Sequence, residues 1–280
     1  AIEDQLLASG FELALRRYDA PAVSREQLQR VHDPHYVERI FALAPTSGLH
    51  WLDRDTAMNP HTLDAARRAA GAVVAAVDLV LGGEATCAFC AVRPPGHHAL
   101  ANVPMGFCLL NHVAVAARYA IAQGHAEKVA ILDFDVHHGN GTQGIFEESP
   151  EVLFVSSHQM PLYPGSGYAT ETGVGNVTNL PLSPGDGSET FRAAWSNRGL
   201  EALFHFAPDL VLVSAGFDAH VRDPLGQLEL VDEDYGWITA EIHALAESAC
   251  EGRMVSLLEG GYDLEALATA SAAHVGALTA

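Results

Sequence analysis

The stretch "AILDFDVHHGNGT", Ala130 to Thr142, carries an apolar run into two aspartates, two histidines and a glycine-containing turn. In extended backbone the side chains alternate, so Asp133, Asp135 and His137 face one side while Phe134 and Val136 face the other. Same-side neighbours lie roughly 7 Å apart at ~3.3 Å per residue, a span over which Asp135 and His137 can share one cation. A third ligand has to come from another segment. Asp218, in "SAGFDAH", is the candidate, because a carboxylate directly after an apolar run is otherwise a poorly solvated charge. An Asp, His, Asp set with an open fourth position matches a catalytic zinc site, where a bound water has its pKa lowered to about 7. Two carboxylates and one imidazole also suit Fe(II), Co(II) or Mn(II), so the donor set defines a metal site before it defines the metal.

Hydrolysis at such an ion needs a base for the water and an acid for the leaving group. His97 and His98, in "RPPGHH", are free for both duties if the metal is held from other segments. Each imidazole needs an orienting partner on its far nitrogen, and Asp133 and Asn140 can supply the two. An Asp partner raises imidazole basicity far more than an Asn partner, so the two histidines are expected to differ in proton affinity. Tyr262, in "EGGYD", can donate a hydrogen bond to a developing oxyanion, with the preceding glycines letting the backbone come close. Any one of these residues alone reads as structural, since a single Asp at the end of a strand is commonly a cap and a single His a satisfied core residue. Their gathering at the ends of successive apolar runs argues for a site. His138 reads as support for the turn behind it.

The elements that must position these groups follow from hydrophobic patterning. Apolar runs at 86–92, 128–134, 152–157, 209–215 and 253–259 read as strands. Helical periodicity fills the gaps, over 61–81, 111–124, 189–206, 232–250 and 263–278. Strands alternating with helices predict an open α/β domain with a mostly parallel sheet covered on both faces. Ligands in such folds bind beyond the carboxyl ends of the strands, which is where "RPPGHH", "DVHHGNG", "SHQMPLYPGSGY", "GFDAH" and "GGYD" fall. "GSGYATETGVGN" reads as a long surface loop. No repeat, low-complexity stretch or interdomain linker interrupts the pattern, and one domain over 1–280 is expected.

Composition narrows the partners. Of 280 residues, 49% are hydrophobic and 18% charged, which suits a globular domain with a substantial core. Fifteen Lys and Arg against 35 Asp and Glu give a net charge of -20, a field that repels nucleic acid and anionic membranes and favours cationic ligands. Four cysteines are too few for a disulfide framework, and "CAFC" at 87–90 lies inside an apolar strand with no second pair, so it reads as core packing. With no secretory leader and no apolar stretch of bilayer length, a soluble cytoplasmic protein is expected. Composition leaves a homo-oligomer open.

The motifs "RPPGHHA", "GFC", "DFDVHHGNGTQ", "SAGFDAH" and "EGGYD", in that order and spacing, resemble the zinc-dependent histone deacetylase superfamily, which includes acetylpolyamine amidohydrolases. The resemblance runs from "LQRVHDPHYVERI" to "EGGYDLEAL" and implies an arginase-like α/β fold that hydrolyses an N-acetyl amide at the end of a long amine. Asp135, His137 and Asp218 would be the ligands of one Zn2+. His98, paired with Asn140, would be the general base and acid, His97, paired with Asp133, its electrostatic partner, and Tyr262 would polarise the acetyl carbonyl. Gly106 and Phe107 would line a tunnel for the lysine stem, with Tyr163 or its neighbour as the opposite wall, Leu225 at the rim and Asp55 as a rim carboxylate. A structural K+ would use Asp133, the backbone carbonyls of Asp135 and His137, and Ser156 with Ser157.

"RPPGHHA" and Asn140 look more like the class II and bacterial branches than class I. Family domains begin with a strand and a Pro-rich turn, so that segment, and the entrance loop it forms, is expected to be missing from a chain that opens at "AIEDQLLASG". The expected substrate is acetyl-lysine in peptides or proteins, with acetylated polyamine as the alternative. The absence of a long insertion between Gly48 and Asn59 favours acetyl-lysine. A ureohydrolase would share the fold, and "GFDAHVRDP" faintly resembles the metal motif of those enzymes, but their two-metal cluster would leave His97, His98 and Tyr262 without roles. A binding module for acetyl groups would have no need of the acid, the base and the oxyanion donor together.

Overall fold

The computed structural model describes residues 1–279. Helices α1 (Ile2–Ala8), α2 (Arg25–Leu28) and α3 (Pro34–Leu43) precede a two-stranded antiparallel hairpin, β1 (His50–Trp51) and β2 (Ala57–Met58). There follow α4 (Thr62–Leu81), β3 (Cys87–Cys90), α5 (His112–Ala122), β4 (Val129–Asp133), α6 (Asn140–Phe146), β5 (Val152–Gln159) and β6 (Val177–Leu182). The chain closes with α7 (Ser188–Ala194), a π-helical turn (Trp195–Gly199), α8 (Leu200–Phe206), β7 (Leu210–Ala215), α9 (Asp232–Cys250), β8 (Met254–Leu258) and α10 (Leu264–Leu278).

Six strands form one parallel sheet in the order β3-β8-β7-β4-β5-β6. The central strands are apolar on both sides because both faces are covered. Val129 and Ile131 of β4 pack with α4 and α5, whereas Ala130 and Leu132 pack with the opposite layer, which contains α1, α9, α10 and the α7–α8 segment. A third apolar cluster joins α2, α3 and the hairpin to α4.

The chain runs from β4 outward through β5 to β6, then returns to place β7 on the other side of β4. The crevice between the carboxyl ends of β4 and β7 is thus the switch point at which an open α/β sheet binds its ligand.

The five core strands expected from sequence are present within two residues at each end. The structure departs from the pattern elsewhere. The helix expected over 189–206 is two helices joined by the π turn, where Trp195 is fully buried and a Cβ on Gly199 would strike its ring. The stretch expected as a surface loop is one, mostly exposed, and its last residue Asn176 anchors it by donating to the carbonyls of Phe146, Ser149 and Val152. The final strand of the sheet, β6, begins directly after it.

Candidate active site

The metal-ligating candidates come from the two loops that flank the switch point, Asp135 and His137 after β4 and Asp218 after β7. One donor atom from each lies within 4.8 Å of the others, the only such group of three or more among the described residues. His137 Nδ1 is 3.1 Å from both Asp135 Oδ1 and Asp218 Oδ2. The remaining carboxylate oxygens accept backbone N–H groups, Asp218 Oδ1 from Val136 at 2.8 Å and Asp135 Oδ2 from Gly260 at 2.8 Å. Gly260 has to be glycine here, since a Cβ would strike the Asp218 carboxylate.

The electrostatics of the cluster call for a cation. Burial pushes Asp218 up, and the Asp135 charge adds to this, bringing it to about 7. Burial would lower His137, but its two carboxylate neighbours hold it up to about 10. Burial would raise Asp135, but His97 and His137 outweigh it and hold its carboxylate well below the usual range. Two buried carboxylates and one part-buried imidazole form a good site for a divalent ion, and that donor set fits zinc.

His97 and His98 sit on the loop after β3, with ring centroids 4.0 Å apart. His97 Nδ1–H donates to Asp133 Oδ2 at 2.9 Å, and His98 Nδ1–H donates to Asn140 Oδ1 at 2.8 Å. Both Nε2 atoms are thereby left as the free ring nitrogens. Burial would lower His97, but Asp133, Asp135 and Glu259 outweigh it and hold the proton well above the usual range. Burial, together with the charge on His97, holds His98 well below it. The tilted pair is one charged ring and one neutral ring.

Tyr262 follows β8, and the hydroxyl is held firmly protonated by burial and by Asp218 and Asp135. A cavity of about 230 Å3 leads to these groups and is lined by Gly106, Phe107, Leu162, Tyr163, Leu225 and Asp55 among others. The Tyr163 ring meets His98 edge-on at 5.2 Å, and Phe107 stands 6.2 Å from Tyr262. Gly106 has a positive φ of 56°, and a Cβ there would strike the His98 ring. The hairpin turn is fastened to this wall, since Phe107 N donates to Thr56 Oγ1 at 3.1 Å and Thr56 Oγ1–H to Asp55 Oδ1 at 2.9 Å.

His138 Nε2–H donates to Gln143 Oε1 at 2.9 Å and Nδ1 accepts from Ser166 at 2.8 Å, bracing the turn against the surface loop. Ser156 and Ser157 are buried in the second half of β5, Ser156 in register with Asp133. Cys87 and Cys90 are free thiols, packed against opposite core layers.

Two further residues organise the site. Glu259 is buried and accepts from the N–H groups of Gly96 (2.6 Å) and His97 (3.1 Å) and from Ser214 Oγ (3.0 Å), which anchors the histidine loop. Asp223 accepts from Tyr262 N (2.7 Å), Asp263 N (3.3 Å) and Leu225 N (3.0 Å), joining the loop after β7 to the one that presents Tyr262. Both are acids next to glycine, proline or an apolar run, the one signal that would have marked them in sequence.

An Asp, His, Asp cluster at the switch point of an α/β sheet, with two oppositely poised histidines beside it, fits the site of a metal-dependent hydrolase. The match to the Histone deacetylase domain covers residues 1–278, and the chain belongs to that family. It is 41% identical over 267 residues to a histone deacetylase-like amidohydrolase of Pseudomonas aeruginosa, covering 93% of this chain and 70% of that protein. It is 40% identical over 246 residues to a probable deacetylase of Archaeoglobus fulgidus, covering 86% and 68%. The crystal structure of the HDA15 HD domain superposes with a TM-score of 0.94 at 36% identity, over 99% of this chain and 79% of that one. The protein is an amidohydrolase of the deacetylase family, which implies an acetylated substrate. Among the described residues no helix is long and apolar enough to cross a membrane.

Proposed function

We propose that the protein removes the acetyl group from acetyl-lysine in peptides or proteins. The observation that carries this reading is the narrow cavity that ends at His98, Tyr262 and the Asp135, His137, Asp218 cluster, walled by the Phe107 and Tyr163 rings. Its form suits an aliphatic stem ending in a small planar amide.

A zinc ion held by Asp135, His137 and Asp218 would polarise the acetyl carbonyl and make water acidic enough to ionise near neutral pH. His98, with Nδ1–H fixed on Asn140, offers Nε2 to take the water proton and later return it to the leaving amine. His97, kept charged by Asp133, stabilises negative charge nearby and discourages His98 from holding its proton. Tyr262 donates to the carbonyl oxygen as charge develops on it, with Asp223 fixing the backbone that carries it. Gly106, Phe107 and Tyr163 enclose the stem, Leu225 borders the mouth, and Asp55 accepts a backbone N–H of the substrate at the rim. A potassium ion would sit on Asp133, the carbonyls of Asp135 and His137, and Ser156 with Ser157.

Acetylated polyamine is the second reading, supported by the net charge of -20. The short hairpin at the mouth supports the larger substrate instead, since the segment between Gly48 and Asn59 carries no long insertion. Acetate release from an acetyl-lysine peptide, with chelator and with zinc restored, tests the proposal. Release that stops with chelator and returns with zinc is expected. Release only from acetylated polyamine would replace the first substrate by the second.

A further inference from the structure

Beside the tunnel mouth lies a second, wider recess of about 500 Å3. It shares Asp55, Pro95 and Phe107 with the tunnel, so a chain whose side arm entered the tunnel would have its next residue at the recess. Two of its other residues are unusual. Trp51, on a strand only two residues long, is 59% exposed and turns a large apolar face to an open hollow. Arg93 is exposed and makes no ion pair or side-chain hydrogen bond among the described residues, in a chain where acids outnumber Lys and Arg by 35 to 15. Pro94 follows it directly, and its ring restricts the backbone of Arg93.

The one acid lining the recess is Asp55, at the border with the tunnel, where one oxygen already accepts from Thr56. An anionic side chain lying over Trp51 and reaching Arg93 would cover the apolar face and pair the cation. A basic side chain would meet the guanidinium, and an apolar one would desolvate it without a partner. We infer that this recess is a subsite for the residue next to the acetyl-lysine and that it selects an acidic side chain there. The inference rests on the peptide reading of the tunnel.

The test is kcat/KM for acetyl-lysine peptides carrying Glu, Gln or Lys immediately before or immediately after the acetyl-lysine. Salt is held near 0.15 M so that the overall charge of the protein is screened. For one of the two flanks the Glu peptide is expected to exceed its Gln counterpart by about fivefold, the range of a partly exposed ion pair, with Lys below Gln. Arg93→Ala should bring the Glu to Gln ratio to about one, and Arg93→Glu should invert it. Because each ratio is internal to one protein, a general loss of fold or metal cancels. A Glu to Gln ratio near one in the parent protein, or a preference that survives Arg93→Ala, overturns the subsite while the Gln peptide still reports deacetylation. If no peptide is turned over but an acetylated polyamine is, the peptide reading itself fails, and the subsite with it.

Discussion

The His97 and His98 rings lie tilted against each other with centroids 4.0 Å apart, yet one is held charged and the other neutral. The difference lies in their partners, a carboxylate for His97 and an amide for His98. Asn140→Asp would give both rings a carboxylate. The folded-state pKa of His98 should rise, so the neutral base would be lost at higher pH than in the parent. The acidic limb of kcat/KM should move up by about one pH unit. An unmoved limb would take His98 out of the role of base.

In the proposed mechanism Tyr262 donates to an oxygen whose charge grows only as the reaction proceeds. Tyr262→Phe should therefore lower kcat by roughly 10²-fold and leave KM within a few fold. Steady-state kinetics on one acetyl-lysine peptide separates the two parameters. A change confined to KM would assign Tyr262 to ground-state binding.

Asp223 touches no candidate metal ligand through its hydrogen bonds but receives the N–H of Tyr262 at 2.7 Å. In Asp223→Asn an amide NH2 would face at least one of its three backbone donors. A loss of about tenfold in kcat is expected, with zinc content unchanged, because a small displacement of a hydrogen-bond donor is costly in a transition state. Combined with Tyr262→Phe, the second substitution should add little, since its effect passes through the tyrosine. Full additivity in the double variant would contradict the positioning role.

Four histidines distant from the metal cluster are buried in neutral form with one nitrogen donating or accepting in place. His32 donates from Nδ1 to the carbonyls of Leu100 and Ala101 and accepts from Asn111 N at Nε2. His274 is bonded to Thr239 and Ser256. Burial lowers His32, His112 and His158 to about 4 and His274 to about 3. Because these folded-state values lie below the unfolded value near 6.5, the unfolded chain binds more protons between them. Stability should be full above pH 6.5 and fall as pH drops toward 4, by up to roughly 5 kcal/mol per pH unit if all four act. Glu259 and Asp218, each pushed up to about 7 by burial, and Asp133, which burial also raises, work in the opposite sense, while His98 and His138, which burial lowers, add to the four. Urea unfolding at pH 7, 6 and 5 measures this, and equal midpoints would contradict it.

Residues buried on both faces of the sheet were the easiest to read. Strands such as β4 and β7 are apolar throughout, so their extent and the polar residues that end them stand out in sequence. The edge strand β6, "VTNLPL", mixes polar residues and a proline, and nothing in its composition separates it from the loop before it. Helix α6, "NGTQGIF", carries two glycines and forms in a buried setting that overrides propensity. The hairpin strands have two residues each, too short for any period. Within the site, Asp135, His137, Asp218 and the tandem histidines were legible because their chemistry is carried by side chains in recognisable spacing. Glu259 and Asp223 were not, because their partners are backbone N–H groups, which any sequence possesses.

The left-handed Gly106 pressed against the His98 ring makes the cavity wall and the proposed base a single mechanical part. A methyl group added there to narrow the bore would push the imidazole off its line. The bore would be resized at least cost to the proposed base at other parts of its wall, such as Leu162 and Leu225. There a lineage could drift in substrate while its catalytic step stayed intact.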